Sequence, residues 1–183
     1  MKPTFLTLSL ILFALTICFS LAFAQVSEQV FDTNGNPIFP GGTFYIMPSI
    51  FGAAGGGLRL GKTKNSKCPL TVLQDYSEVV NGLPVKFTRL EAGHDIISTN
   101  TALDIAFTTK PDCAESSKWV LVDDFNKLTG PWVGIGGTED NEDITAPPGA
   151  CYDIGRHDDF TGRLLVLANN DPYEVVFVDA MGN

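Results

Sequence analysis

The chain has 183 residues, with 12 Lys and Arg against 21 Asp and Glu, and a formal net charge of −9. This length fits one domain. Its 18 Gly, 11 Pro and 18% charged residues exclude a coiled coil, and its 44% hydrophobic residues exclude a disordered tail. An acidic chain without a Lys/Arg cluster binds nucleic acid poorly, because phosphate neutralisation drives that affinity.

The N-terminus has the features of a secretory leader. Lys2 precedes an apolar stretch from Phe5 to Phe19, and Ala22-Phe23-Ala24 forms a small-residue cleavage site. The alternative is a membrane anchor, but the stretch is near the short limit for a span and no basic cluster follows it. We therefore predict a signal peptide over residues 1–24, a mature domain over residues 25–183, and a secreted protein, extracellular or vacuolar, with no membrane partner.

Short strand-like runs follow one another through the mature chain. Each is rich in β-branched or aromatic residues and is bounded by Gly, Pro, Asn or Asp. No window of a dozen residues has a clean helical period, so the spacing predicts an all-β domain, either a sandwich or a small barrel. The predicted strands are Thr43–Met47, Leu58–Lys62, Leu70–Gln74, Val85–Thr88, Leu103–Phe107, Trp119–Asp123, Trp132–Ile135, Leu164–Leu167 and Glu174–Asp179.

Two acidic segments raise the question of a metal site. Residues 137–149 hold an acidic run and two prolines, and we interpret them as a solvated loop. A divalent-cation site is the alternative, but the spacing of its acids fits no calcium loop. Asp32–Asn36 loosely resembles such a loop but lacks the central Gly and the distal Glu, so a tight turn is favoured. We expect no metal and no cofactor.

Two further sequence patterns are weak indications of an enzyme. Gly56–Thr63 fits the phosphate-binding pattern of nucleotide hydrolases, but that loop must open a helix, and the residues after it do not. A Gly-rich turn feeding a strand is favoured. His157 has Asp158 and Asp159 beside it in a predicted turn, but no Ser or Cys stands in a nucleophile pattern. We expect no enzyme.

Several motifs in order carry a family resemblance. They are Val30–Ile38, Gly41–Met47, Cys68–Val72, Ser77–Val85, Trp119–Asp123, Tyr152–Gly155 and Leu164–Leu167. Together they resemble the plant Kunitz inhibitors of the soybean trypsin inhibitor type, which include miraculin-like proteins. The resemblance implies a β-trefoil that inhibits a secreted or digestive serine protease with one exposed loop held in a substrate-like shape.

The resemblance also implies which residues act. The inhibitory loop falls on Arg89, Leu90, Glu91, Ala92, Gly93 and His94, although an ordinary surface connection is the alternative. The specificity position aligns with Ala92 or Gly93, and Arg89 comes too early for it. Because the trypsin pocket needs a cation to meet its buried Asp, trypsin is a doubtful target, and proteases with small or apolar pockets are better ones.

Three departures from the family pattern qualify this expectation. Pro40 stands where the family often has an Asn that braces the loop. Cys68 and Cys113 match the family's first disulfide, but Cys151 has no partner and is predicted to be an unpaired thiol. A block of roughly twenty residues is missing between Ile135 and Cys151, which predicts a β-trefoil whose shortened third unit lacks about two strands.

These departures leave two further questions open at the level of the sequence. A non-inhibitory trefoil that serves storage or binds a carbohydrate or another protein is the alternative function. We expect a monomer, with a dimer as the alternative if Cys151 pairs between chains.

Overall fold

The computed structural model describes residues 27–50, 52, 54–62, 66–90, 96–122, 130–136, 153–160, 162–168 and 171–182. The described residues form ten strands, and nowhere in these ranges does a helix occur that is long and apolar enough to cross a membrane. The all-β prediction is confirmed. The strands are β1 Thr43–Pro48, β2 Leu58–Gly61, β3 Thr71–Gln74, β4 Val85–Arg89, β5 Leu103–Phe107, β6 Trp119–Val122, β7 Trp132–Ile135, β8 Asp153–Asp159, β9 Gly162–Ala168 and β10 Val175–Asp179.

One strand was missed at the level of the sequence. The segment around His157 was predicted to be a turn, but it lies in β8 and pairs with β9, with His157 opposite Leu164. Most of β8 is exposed and polar, so its composition gives no strand signal. The buried apolar strand β9 supplies the ladder that holds it extended.

Four strands form a barrel wall in the order β10-β1-β4-β5. The pairing of β1 with β10 runs from Phe44 opposite Asp179 to Pro48 opposite Val175. Aromatic rings fill the space behind the wall, where the ring centroid of Phe87 lies 6.0 Å from that of Phe44 and 5.5 Å from that of Phe177. The main hydrophobic core therefore lies on the inner face of this sheet.

Three hairpins, β2–β3, β6–β7 and β8–β9, form a cap over the wall. Their inner strands pair with one another in all three combinations, through Thr71 with Gly134, Trp132 with Val166, and Leu73 with Leu164. This three-way pairing closes the cap around a small apolar cluster. Three hairpins related in this way, set on a barrel wall, make the fold a β-trefoil, as predicted.

The wall is less complete than the cap. A trefoil repeats a unit of wall strand, hairpin and wall strand three times, and β1–β4 form one whole unit. Among the described residues, the second unit has no closing strand and the third has no opening strand. The predicted shortage of about two strands concerns residues 137–152, which lie outside the described residues, so it stays a prediction. The strands beside the gap, β5 and β10, are half-exposed along nearly all of their length.

A disulfide and a closely packed glycine hold the connections between these strands. Cys68 and Cys113 are bonded, with a Cα–Cα distance of 6.0 Å, which is the pairing that the family resemblance implies. Cys151 lies outside the described residues. Gly57 feeds directly into β2, and a Cβ on it would stand 2.0 Å from the carbonyl oxygen of Asn81. The Gly-rich turn that leads into a strand is thus confirmed.

Candidate functional site

The candidate site is the connection between β4 and β5, which leaves the barrel wall after Arg89. Arg89 pairs with Leu103 in the last rung of the ladder and is half-buried. The next residue, Leu90, is 61% exposed. The other predicted loop residues, Glu91, Ala92, Gly93 and His94, lie outside the described residues.

Arg89 belongs to the strand rather than to the exposed part of the connection. Its side chain lines a hollow of about 220 Å³ together with Asn100, Thr101 and Ala102, at the base of the connection. A protease cleft binds an extended segment whose backbone is free, and the backbone of Arg89 is paired with β5. This position supports the interpretation that Arg89 comes too early to be the specificity residue.

The returning leg of the connection is fixed in the core. Ile97 is only 4% exposed and packs in the main hydrophobic cluster. Its amide donates to the carbonyl of Ile38 at 2.8 Å, and its carbonyl accepts from the amide of Val30 at 3.0 Å. The connection is therefore anchored on both sides, by a ladder rung at Arg89 and by a buried side chain at Ile97.

The first residues of the described chain bind this returning leg. Gln29 forms an antiparallel bridge with Ser98. The amide of Thr99 donates to the carbonyl of Glu28 at 2.7 Å, and Oγ1 of Thr99 accepts from the amide of Glu28 at 2.9 Å. The hydroxyl of Ser27 donates to the carbonyl of Thr99 at 3.0 Å. Sequence reasoning missed this pairing, for which the β-branched run before Asn100 was the available signal.

A tight turn at Asp32 holds the N-terminal segment in place, as predicted. The carboxylate of Asp32 accepts from the amides of Asn34 and Asn36, both at 2.8 Å. Burial alone would raise the pKa of Asp32, but these hydrogen bonds and one from the Asn36 side chain outweigh it and hold the pKa below its ordinary value. The amide of Thr33 also donates to the carbonyl of Phe177 in β10, at 2.9 Å.

Comparison with known proteins decides the family. The model of the legume Kunitz family, described as trypsin and protease inhibitor, matches residues 30–148. The chain belongs to this family. The Kunitz-type trypsin inhibitor-like 2 protein of Pisum sativum is 44% identical to it over 209 positions, which cover 100% of this chain and 96% of the pea protein. The subtilisin inhibitor CLSI-II of Canavalia lineata is 46% identical, over 84% of this chain and 93% of that protein.

A solved structure agrees with this assignment. The crystal structure of a Kunitz type trypsin inhibitor from Cicer arietinum matches with a TM-score of 0.78 and 46% identity, over 84% of this chain and 99% of that one. These relatives are named as protease inhibitors and not as enzymes.

The comparison with the pea protein also bears on the gap in the barrel wall. Its 209 aligned positions cover the whole of this chain of 183 residues, so at least 26 positions have no counterpart here. A deficit of that size is enough for two short strands and their turn, since strands average five to six residues. The alignment thus has room for the predicted missing block of roughly twenty residues.

A buried polar network ties the cap of this Kunitz domain to its β1–β2 connection. Gln74 is fully buried, and its Nε2 donates to the carbonyl of Ala54 at 2.7 Å. Its Oε1 accepts from Nη1 of Arg156 at 3.1 Å. Nη1 of Arg163 also donates to the Ala54 carbonyl, at 2.9 Å. Because each partner is a backbone carbonyl or a buried amide, we interpret this network as structural.

Tyr173 lies beside this network, but its hydroxyl does not take part in it. Its hydroxyl is buried, and no described residue forms a hydrogen bond with it. Burial raises the pKa of Tyr173 to about 12, and the charges of Arg156 and Arg163 oppose that rise. Its ring lines a cavity of about 360 Å³ together with Pro48, Arg156 and Glu174.

Proposed function

We propose that this chain is a secreted inhibitor of serine endopeptidases, and that residues 90–94 enter the protease cleft, with Arg89 at the base of the loop. The observation that carries the proposal is the double anchoring of the β4–β5 connection. Arg89 pairs with Leu103 on one side, Ile97 is buried on the other, and Leu90 between them is exposed. A loop whose ends are fixed has already lost conformational entropy, so little affinity is lost on binding.

The same anchoring is expected to slow cleavage of the loop. A substrate segment relaxes away from the nucleophile after attack, because its ends are free to move. Here the ends are held by the β4–β5 ladder and by the core contacts of Ile97. The two sides of an attacked bond stay together, which favours its reformation over release.

The residues at the specificity position favour a target other than trypsin. Ala92 and Gly93 offer no cation to the buried Asp of the trypsin pocket, and Arg89 is held within β4. We propose serine proteases with small or apolar pockets as the targets. Overall identity does not separate the targets, because it is 46% both to the subtilisin inhibitor and to the Cicer arietinum trypsin inhibitor, so the choice rests on the loop residues.

The direct test is inhibition by the purified mature protein. Subtilisin and elastase are expected to be inhibited below micromolar concentrations, with trypsin inhibited far more weakly and papain, a cysteine protease, not at all. A folded protein that inhibits none of subtilisin, elastase, chymotrypsin and trypsin at micromolar concentration would overturn the proposal.

Arginine substitutions locate the specificity position. Ala92→Arg and Gly93→Arg are made separately, with Thr108→Arg, an exposed site at the far end of β5, as the control. One of the two loop variants is expected to gain about 100-fold or more in trypsin affinity, the value of completing a buried ion pair. If neither gains, the loop is placed on the wrong residues.

The leader requires its own test. We propose that residues 1–24 direct the chain into the secretory pathway and are then removed, which leaves Gln25 first. N-terminal sequencing of the protein recovered from the medium of a secreting host checks this directly. Recovery of the chain in the cell with residues 1–24 still attached would contradict it.

A further inference from the structure

The residues that follow the predicted leader lie against the returning leg of the β4–β5 connection. We call Ser27–Val30 the N-terminal clamp. Four hydrogen bonds join it to Ile97 and Thr99, with lengths from 2.7 to 3.0 Å. The bridge between Gln29 and Ser98 lies between them. The clamp therefore contacts the chain two residues after the last undescribed position of the connection.

Thr99 is the centre of this contact. It takes part in three of the four hydrogen bonds, through its amide, its carbonyl and its Oγ1. Thr99 is exposed, whereas its neighbour Ile97 is buried in the core. A change at Thr99 can therefore loosen the clamp while the buried packing stays in place.

The residue after Pro40 contacts the outgoing side of the connection, β4, whereas the clamp contacts the returning leg. Pro40 has no side-chain donor and no amide hydrogen, so it cannot provide the brace expected from an Asn at that position. The amide of the next residue, Gly41, already donates to the carbonyl of Phe87 in the barrel wall, at 2.9 Å.

From this geometry we propose that the N-terminal clamp positions the inhibitory loop, with Thr99 as the positioning residue. The inference rests on the proposed function of that loop. Only Gln25 and Val26 separate the predicted mature N-terminus from the clamp. Removal of a few N-terminal residues by an aminopeptidase would thus weaken inhibition, which makes N-terminal trimming a means of regulation.

The test compares four variants of the secreted chain with the wild type. They are a deletion of Gln25–Gln29, Thr99→Val, the conservative Thr99→Ser, and the control Thr108→Val. Three quantities are measured for each: the inhibition constant for subtilisin, the rate at which catalytic subtilisin cuts between residues 89 and 96, read by intact mass, and the urea midpoint of unfolding.

Thr99→Val removes one hydrogen bond and is expected to weaken inhibition and to speed cleavage between residues 89 and 96 about tenfold, which is the scale of one hydrogen bond. The deletion removes three of the four bonds and is expected to act at least as strongly. Thr99→Ser keeps the acceptor oxygen and should remain within about twofold of the wild type, as should the control. Cleavage should rise in the loop ahead of other sites.

Three outcomes separate the possibilities. If the deletion leaves loop cleavage and inhibition unchanged, the clamp does not position the loop and the inference fails. If Thr99→Val speeds cleavage at all sites in proportion to a fall in the urea midpoint, its role is merely structural and the inference also fails. If the wild type inhibits no protease but the deletion still speeds loop cleavage selectively, the clamp is upheld and the proposed function is not.

Discussion

At the scale of single residues, two buried polar groups contrast. The carboxylate of Asp32 has three hydrogen-bond donors from Asn34 and Asn36, which satisfy it in a tight turn. The hydroxyl of Tyr173 is buried with no described partner. Because an unpartnered buried polar atom costs about 1–3 kcal/mol, Tyr173 is a site where the chain gives up stability.

Removing this hydroxyl is expected to stabilise the protein. Tyr173→Phe should raise the free energy of unfolding by about 1 kcal/mol at pH 7, measured by urea denaturation, because the ring stays and only the unpartnered oxygen is lost. Tyr76→Phe, at a tyrosine that is 56% exposed, is the control and should change little.

The same pair of variants has a pH dependence whose sign follows from the raised pKa. The unfolded tyrosine ionises near its ordinary value of 10.0, whereas the folded one holds its proton to about 12. Ionisation of this group therefore leaves the stability of the wild type unchanged below pH 10 and lowers it as the pH rises towards 12. Tyr173→Phe lacks this loss, so its advantage over the wild type should widen across that window. An advantage that stays constant would contradict the burial of the hydroxyl.

At the scale of elements, the cap and the wall are held by different means. The cap strands β3 and β7 are buried throughout and pair with each other and with β9. The wall strands β5 and β10 form ladders along one side, with β4 and β1 respectively. On its other side β5 has an isolated bridge between Ala106 and Lys118. The Cys68–Cys113 disulfide joins the segments that precede β3 and β6, so it reinforces the cap.

Loss of the disulfide should cost a large part of the total stability. The two cysteines are 45 positions apart, and a loop of that length restrains the unfolded chain by about 4 kcal/mol in the chain-entropy model. The double variant Cys68→Ser with Cys113→Ser should lose about that amount in urea unfolding. Cys151→Ser is the control, and it should keep both the wild-type midpoint and a monomeric mass on a non-reducing gel. A double variant as stable as the control would contradict this view of the cap.

At the scale of the whole molecule, the described strands form a complete cap and a wall sheet of four strands. Among the described residues, β10 and β5 are the end strands of the wall sheet, and both are only partly buried along nearly all of their length. Strand edges without partners lose ladder hydrogen bonds and expose core side chains to water. The chain is therefore expected to be less stable than full-length relatives, with a Tm below about 65 °C, the top of the usual mesophile range.

A graft tests this expectation. Replacing residues 137–152 with the longer corresponding stretch of the pea protein should raise the Tm above that of the wild type and slow amide hydrogen exchange in β5 and β10. The matched control inserts a Gly/Ser linker of equal length, which adds residues without strand propensity. If the linker and the graft behave alike, the gap is not a missing piece of sheet. A reversible wild-type melt above about 65 °C would also contradict the expectation.

More of the fold than of the candidate site could be predicted from the sequence. Apolar runs at regular spacing predicted nine strands, because buried strands such as β3 and β7 keep a continuous apolar pattern. β8 could not be predicted in this way, since its residues are polar and only pairing with β9 keeps it extended. The hydrogen bond from the amide of Glu28 to Oγ1 of Thr99 joins residues 71 positions apart, and the β-branched run before Asn100 marks only one side of this pairing in the sequence.

The three-way pairing of the cap has a consequence for how the protein folds. Leu73 and Leu164, which are opposite each other in β3 and β9, are separated by 91 positions of the chain. The cap cannot close until the last hairpin has been synthesised. The chain loses the entropy of closing so long a loop before the strand pairing can stabilise it. Folding should be late and slow for a domain of this size. Until the cap closes, the apolar strands β3 and β7 remain exposed. The yield of folded protein should therefore depend more on folding conditions and chaperones than on native stability.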